Sequence, residues 1–271
     1  MTVELLTNLW VTAVVVIATF AATFAVAVWI RGGRHDGIDV VWGPGFAIVA
    51  VTTLIMSSGH GDDWRRWLIT ALTCVWGVRL GTHIGLRNHG ATEDRRYVEI
   101  RERTPRHPLA HLVRAVYVPQ AVVLWVVSLP VQLGQYGHAD SALSLIGTVL
   151  GVGVWVVGFA FETVGDAQLA AFRADPATAG QVMDRGLWRY TRHPNYFGDA
   201  AVWWGLTLLA WHHVAGLIGL VSAAVMTWLL AKGTGAALLE RSIGGRRPGY
   251  VEYVQRTSGF FPLPPRRRGP A

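Results

Sequence analysis

Residues 8–30 read NLWVTAVVVIATFAATFAVAVWI, and the first charge after them is Arg31. About 20 mostly apolar residues in a helix cross the hydrocarbon core of a bilayer, so this stretch is read as a membrane span. The residues before it carry no Lys or Arg, and no small-residue cleavage site precedes Arg31. It is therefore expected to be a retained helix rather than a signal peptide. Working outward, comparable runs occur near 40–58, 67–86, 112–134, 142–161, 196–211 and 214–232. That predicts an all-α polytopic bundle of about seven transmembrane helices. The last two segments, joined only by His212 and His213, form a tight hairpin, and six spans is the fallback count.

Composition agrees. Of 271 residues, 52% are hydrophobic and 15% charged, outside the range of ordinary soluble domains. Thirteen Trp suit the membrane interface, and 31 Gly let helices approach closely. The single cysteine, Cys74, lies in an apolar run, can form no intrachain disulfide and is read as packing. One domain is expected over 1–262, with a basic disordered tail at 263–271.

A net charge of +7 raises nucleic acid as a partner, and the distribution of charge argues against it. With the N-terminus outside, 21 of the 24 Lys and Arg fall on the cytosolic side, including the C-terminal tail. Only Arg65 and Arg66 lie outside, and Arg79 is within a span. The charge is topological, and its natural partners are cytosolic anionic groups: lipid heads or a phosphorylated cofactor. Two inside loops, 87–111 and 162–195, are long for a compact bundle, as functional loops often are.

Three polar groupings need explaining. Trp76, Arg79, His83 and Arg87 follow at spacings of 3, 4 and 4, forming one stripe on the third span. An intramembrane arginine costs at least about 2.5 kcal/mol and needs a partner, for which Asp39 at the foot of the second span is the candidate. Glu162, Asp166 and Arg173, at spacings of 4 and 7, line one face of the helix that leaves the fifth span. The densest signal is residues 186–199, GLWRYTRHPNYFGD. Pro194 suits a first helical turn, so a helix should begin there with free N–H groups. Arg189, Arg192 and His193 crowd that end and make it a phosphate site, with Asn195 and Asp199 one turn apart behind it. Downstream, Glu240 and Arg241 end the last span, and Tyr250 and Tyr253 share a helix face.

The run Arg192-His193-Pro194-Asn195-Tyr196-x-Gly198-Asp199 follows Gly186-Leu187-Trp188. Together with the Glu240-Arg241, Tyr250-x-x-Tyr253 and Phe260-Phe261-Pro262 tail, it resembles the steroid 5α-reductase C-terminal family. The likeness is closest to that family's uncharacterised bacterial branch, which also carries the Asp39-x-x-Trp42-Gly43 and Trp76-Gly77-x-Arg79-Leu80 segments. It runs from about Asp39 to Pro262 and is strongest over 158–200.

The resemblance implies a seven-helix reductase of the bacterial inner membrane. Such an enzyme takes hydride from NADPH on the cytoplasmic side to saturate a polarised C=C bond in a lipid. By position, Asp166, Arg173, Asn195, Tyr196 and Asp199 match residues that cradle the dinucleotide. Glu162 stands where the steroid enzymes have Asn, and Glu240 and Tyr250 would close the pocket. Arg189, Arg192 and His193 fit the phosphates, and the nicotinamide would reach beside the Arg79 stripe. No Rossmann fingerprint is present or required, and no metal ligand is assigned.

One departure bears on substrate. The steroid enzymes hold the substrate carbonyl with a Glu on the second span and a Tyr on the third. Here 40–58 contains no acid, and Trp76 lies near the Tyr position, which argues against a 3-oxo steroid. The electrophile would then come from Tyr97, His83 or the Arg79 and Asp39 pair, with Arg79, Asp39 and His83 the preferred catalytic set. Membrane methyltransferases of the isoprenylcysteine or phospholipid type also use an Arg-His-Pro-x-Tyr turn and a tail Glu, around S-adenosylmethionine. They form the alternative reading. A non-catalytic lipid-binding or assembly protein on the same fold is a third. The oligomeric state is left open.

Overall fold

The computed structural model describes residues 3–103, 106–138, 141–211, 214–233, 235 and 248–266. The helices are α1 Val3–Trp29, α2 Gly37–Met56, α3 Asp63–Asn88, α4 Arg95–Glu102, α5 Pro108–Leu112, α6 Val118–Val127 and α7 Leu129–Leu133. They continue with α8 Ala142–Ala174, α9 Pro194–Ala210, α10 Gly219–Trp228 and α11 Tyr250–Arg256. A π-helical turn, Val113–Tyr117, joins α5 to α6, and a second, Leu229–Gly233, follows α10. Among the described residues there is no β-strand, only two isolated bridges.

The chain is all-helical, and five helical stretches are long and apolar enough to cross a membrane: Val3–Trp29, Gly37–Met56, Pro108–Val127, Ala142–Ala174 and Gly216–Gly233. The expected spans at 67–86 and 196–211 are also helical, within α3 and α9, but differ from these five for physical reasons. At 26 residues α3 has the length, yet Arg79 and His83 lower its hydropathy. At 17 residues α9 is apolar but shorter than the other candidates. The expected hairpin link at His212 and His213 lies outside the described residues.

The chain divides into two compact units, one of Met1–Ser144 with Leu209–Gly219 and one of Leu145–Leu208 with Leu220–Ala271. In the first, α2 and α3 touch backbone to backbone. A Cβ on Gly43 would run into the Gly77 carbonyl, and one on Gly77 into the Gly43 carbonyl. A Cβ on Gly81 would lie 2.6 Å from the Pro44 ring. Small residues serve this purpose in membranes, where helix association depends on van der Waals contact and interhelical hydrogen bonds. Buried polar groups add to it: Thr12 Oγ1 donates to Gln132 Oε1 at 2.6 Å, and Gln132 Nε2 donates to Ser128 Oγ at 2.8 Å.

Arg65 and Arg66 are 1% and 5% exposed, although the sequence placed them in an outside connection. Arg65 donates to the Leu209 carbonyl and to Ser144 Oγ, both at 2.9 Å. Arg66 donates to Ser57 Oγ at 2.9 Å and to the Leu54 carbonyl at 2.5 Å. Both guanidiniums therefore satisfy carbonyls in the last turns of α2 and α9, where a cation also complements the helix dipole.

In the second unit α8 and α9 meet along another glycine seam. A Cβ on Gly158 would lie 2.6 Å from the Gly198 carbonyl, and one on Gly205 would lie 2.7 Å from the Gly151 carbonyl. One on Gly165 would lie 3.2 Å from the Asn195 amide nitrogen. Side chains adjoining this seam thus face the partner helix at close range.

Candidate functional site

In the first unit, Asp39 occupies the first turn of α2, and its carboxylate accepts from Tyr97 Oη at 2.6 Å and from Arg96 Nη2 at 3.0 Å. The expected partner was Arg79, and the helix register explains the difference. Gly77 faces Gly43, and Gly81 faces Val40 and Pro44, which puts Arg79 about one turn, ~5 Å, from the level of Asp39. Arg79 and His83 are half-buried on α3, one turn apart. The short helix α4 supplies the partners instead. Asp94 caps it by accepting from the Arg96 amide at 2.9 Å, and it also accepts from the Arg96 guanidinium.

Burial pushes the Tyr97 hydroxyl well above its ordinary range, and the Asp39 charge and hydrogen bond push the same way. The phenol therefore keeps its proton at neutral pH. Burial alone would lower the Arg96 guanidinium, but its hydrogen bond to Asp94 and the Asp39 charge raise it overall. Burial would raise the Asp94 carboxyl, and the Arg96 hydrogen bonds bring it below its ordinary value.

The sequence reading missed the neighbouring ion network. Asp36, 2% exposed, is bridged by Arg31 and Arg34, each at 2.9 Å. Glu93 accepts from the His35 amide at 2.7 Å and from Arg101 Nη2 at 2.5 Å. The His35 ring is buried, with Nδ1 2.9 Å from Tyr117 Oη and the Phe24 ring 5.7 Å away. Burial holds its imidazole below 6.5, with Glu93 pulling in the opposite direction. The acidic Glu93-Asp94 pair before Arg95 was the available signal, an N-cap ahead of a basic helix.

In the second unit the predicted acids and amide come together. Glu162, Asp166 and Asp199 are 2%, 6% and 8% exposed. Asn195 Nδ2 donates to Asp166 Oδ1 at 3.0 Å, tying the first turn of α9 to α8. A Cβ on Gly198 would run into the backbone of Glu162, which puts Asp199 beside that acid's turn. His193 is buried, and its ring stacks on Tyr196 at 5.4 Å with 9° between planes. Among the described residues the buried Asn195 Oδ1 atom has no hydrogen-bond partner.

The cations are arranged differently. Arg173 is exposed, two turns beyond Asp166 on α8, and Arg189 is exposed in the 3-10 turn Gly186–Arg189. Arg192 donates from Nη1 to the carbonyls of Val254 at 3.1 Å and Thr257 at 2.9 Å, so part of its donor set holds the end of α11. Trp188 anchors the turn through Nε1 to the Gly165 carbonyl at 3.0 Å, and Tyr253 Oη donates to the Trp188 carbonyl at 2.6 Å. Thr191 Oγ1 donates to the Phe260 carbonyl at 2.8 Å, the Arg192 amide to Ser258 at 2.9 Å, and the Leu263 amide to Tyr190 at 3.0 Å. Tyr250 is buried at the start of α11, 6.1 Å from the Tyr253 ring. Glu240 lies outside the described residues, as does the tail beyond Arg266.

Chemically, this seam offers a row of carboxylate and amide acceptors for hydroxyl and N–H groups, with exposed arginines within a few turns.

Among curated proteins, the chain is similar to an uncharacterized protein of the fission yeast Schizosaccharomyces pombe, 23% identical over 266 residues, covering 88% of this chain and 75% of that one. No solved structure matches. A family model described as a protein of unknown function, DUF1295, matches residues 23–257, and the chain belongs to that family.

Proposed function

We propose that this protein is a membrane-embedded, NADPH-dependent reductase that saturates a C=C bond of a steroid, isoprenoid or other lipid. The observation that carries the reading is the Asn195 to Asp166 hydrogen bond across the glycine seam, with Glu162 and Asp199 buried on the same helices. Buried carboxylates on membrane helices are costly and mark function more often than packing. When bound, the cofactor supplies a hydride. Asp166, Asp199, Glu162 and Asn195 would hold its hydroxyl and amide groups, and Arg173, Arg189 and Arg192 its phosphates. His193, Tyr196 and Tyr250 supply flat surfaces, and Glu240 belongs to the same proposed set.

Arg79, Asp39 and His83 are the proposed catalytic residues of the first unit, and Tyr97 joins them. Tyr97 Oη donates its one proton to Asp39, so Tyr97 would act by positioning the Asp39 carboxylate. We also propose seven crossings, with α3 and α9 added to the five apolar helices. The N-terminus is outside, the cofactor residues face the cytoplasm, and the host membrane is a bacterial inner membrane. The bias of Lys and Arg toward one set of connections supports this orientation.

A second reading, an S-adenosylmethionine-dependent membrane methyltransferase, is favoured by one observation. Three buried carboxylates with nearby aromatic rings also suit a ligand that carries ammonium and sulfonium charge. Titration of the detergent-purified protein with NADPH and, separately, with S-adenosylmethionine separates the two. Thermal stabilisation by NADPH is expected; stabilisation by S-adenosylmethionine alone would overturn the reductase.

A further inference from the structure

Within the first unit, α1 and α2 frame an open groove of about 790 Å³, a volume typical of small-molecule sites. Its walls are apolar over most of their length, formed by Ala22, Val26 and Ala27 of α1 and by Val40, Pro44 and Ile48 of α2. From Gly37 to Ile48 the α2 wall rises about 16 Å. Val26 and Ile48 are each about 40% exposed, so the groove opens on the side of the helices where a bilayer would lie.

One end is built differently. Arg31, Arg34, Asn88 and His89 line it. The two arginines share a single carboxylate, Asp36, and so leave an excess positive charge there. After this pairing the Arg31 and Arg34 side chains still stay 32% and 36% exposed. The Arg31 guanidinium packs where a side chain on residue 37 would stand, which explains the glycine at that position. Glu93, the other nearby acid, is taken up by Arg101 and the His35 amide.

We propose that this groove binds an anionic phospholipid of the surrounding bilayer, with one acyl chain along α1 and α2 and the phosphate against Arg31 and Arg34. A long apolar trough ending in two arginines that hold one carboxylate between them matches an apolar chain ending in an anion. Guanidinium groups that keep an exposed edge bind phosphate oxygens through charge-assisted hydrogen bonds. The proposal does not depend on the enzyme reading, because no residue assigned to cofactor or catalysis lines the groove.

The test is native mass spectrometry and thermal shift on the full-length protein in neutral detergent. The probes are phosphatidylglycerol, phosphatidylcholine with the same chains, and inorganic phosphate. Phosphatidylglycerol is expected to bind at least about tenfold more tightly than phosphatidylcholine. Arg34→Gln, which leaves Arg31 on Asp36, should remove most of that preference. Ala22→Trp, which fills the trough at an exposed position without touching the ion network, should weaken binding of both lipids. Equal binding of the two lipids by the unaltered protein would overturn the proposal. So would unchanged phosphatidylglycerol binding in both variants, or stabilisation by inorganic phosphate matching that by the lipid.

Discussion

Asn195 Nδ2 lies 3.0 Å from Asp166 Oδ1, so the first turn of α9 is fastened to the last third of α8 by a polar contact beside the buried Glu162 and Asp199. The glycine seam at Gly158, Gly198 and Gly205 gives that contact its reach, because the two backbones nearly touch. A double-mutant cycle of Asn195→Ala and Asp166→Ala should return a coupling energy of about 1 kcal/mol or more in thermal unfolding. In the same preparations, Asn195→Ala and Arg173→Ala should each weaken NADPH binding by about tenfold while the helices stay folded. Unchanged affinity in both would remove these residues from the cofactor set.

Tyr97 and Arg96 both bond to Asp39, but they should not matter equally. Tyr97 is buried, whereas the Arg96 side chain is 50% exposed. Tyr97→Phe is expected to cost about 1–3 kcal/mol, and Arg96→Gln under about 1 kcal/mol, because water screens the exposed pair. Denaturation in a fixed detergent would compare them, and the opposite order would contradict this account of the network.

The buried His35 makes a pH prediction. Its imidazole sits below 6.5 in the folded chain, so on acidification the unfolded chain takes up a proton that the folded one resists. Stability from this group is complete above about pH 6.5 and declines as pH falls toward the lowered folded value. His35→Gln should flatten the dependence of unfolding temperature on pH below 6.5. An identical slope in the variant would show that other groups carry it.

The α2 and α3 interface should tolerate no side chain at its closest point. Gly43→Val puts branched carbon where the Gly77 carbonyl lies, and is expected to destabilise by about 3 kcal/mol or more. Ala25→Val on α1, at a half-buried position, serves as a control of the same size class. Comparable effects in the two would mean that the helices can part without penalty.

Much of this was legible in the sequence because hydrophobic length is a local property. The apolar run at 8–30 and the helix start at Pro194 could each be read without knowing what they touch. The juxtaposition of Glu162 and Asp166 with Asn195 and Asp199 was anticipated from helical spacing and family resemblance. The partner of Asp39 was not. Sequence offered Arg79 because it lies within one predicted span and Asp39 at the foot of another, while the acceptor-donor pairing is decided by the register of α2 against α3 and by where α4 folds back. Arg65 and Arg66 illustrate a similar limit. Charge counting assigns them to a side of the membrane, but nothing in their neighbourhood reveals that carbonyls from Leu54 and Leu209 will collect them.

The strap that runs from Ser258 to Leu263 over the Tyr190–Arg192 turn has a consequence for biosynthesis. Those backbone pairings join positions more than sixty residues apart, so they cannot form until the later segment has left the ribosome. Helices α8 and α9 can insert and pair beforehand, but during that interval the loop between them is held by the Trp188 anchor to Gly165 without the strap. Maturation of this half of the molecule is thus a late event. Lesions near Phe260 should appear first as a failure to complete folding, with the damage showing in a turn that lies far upstream in the chain.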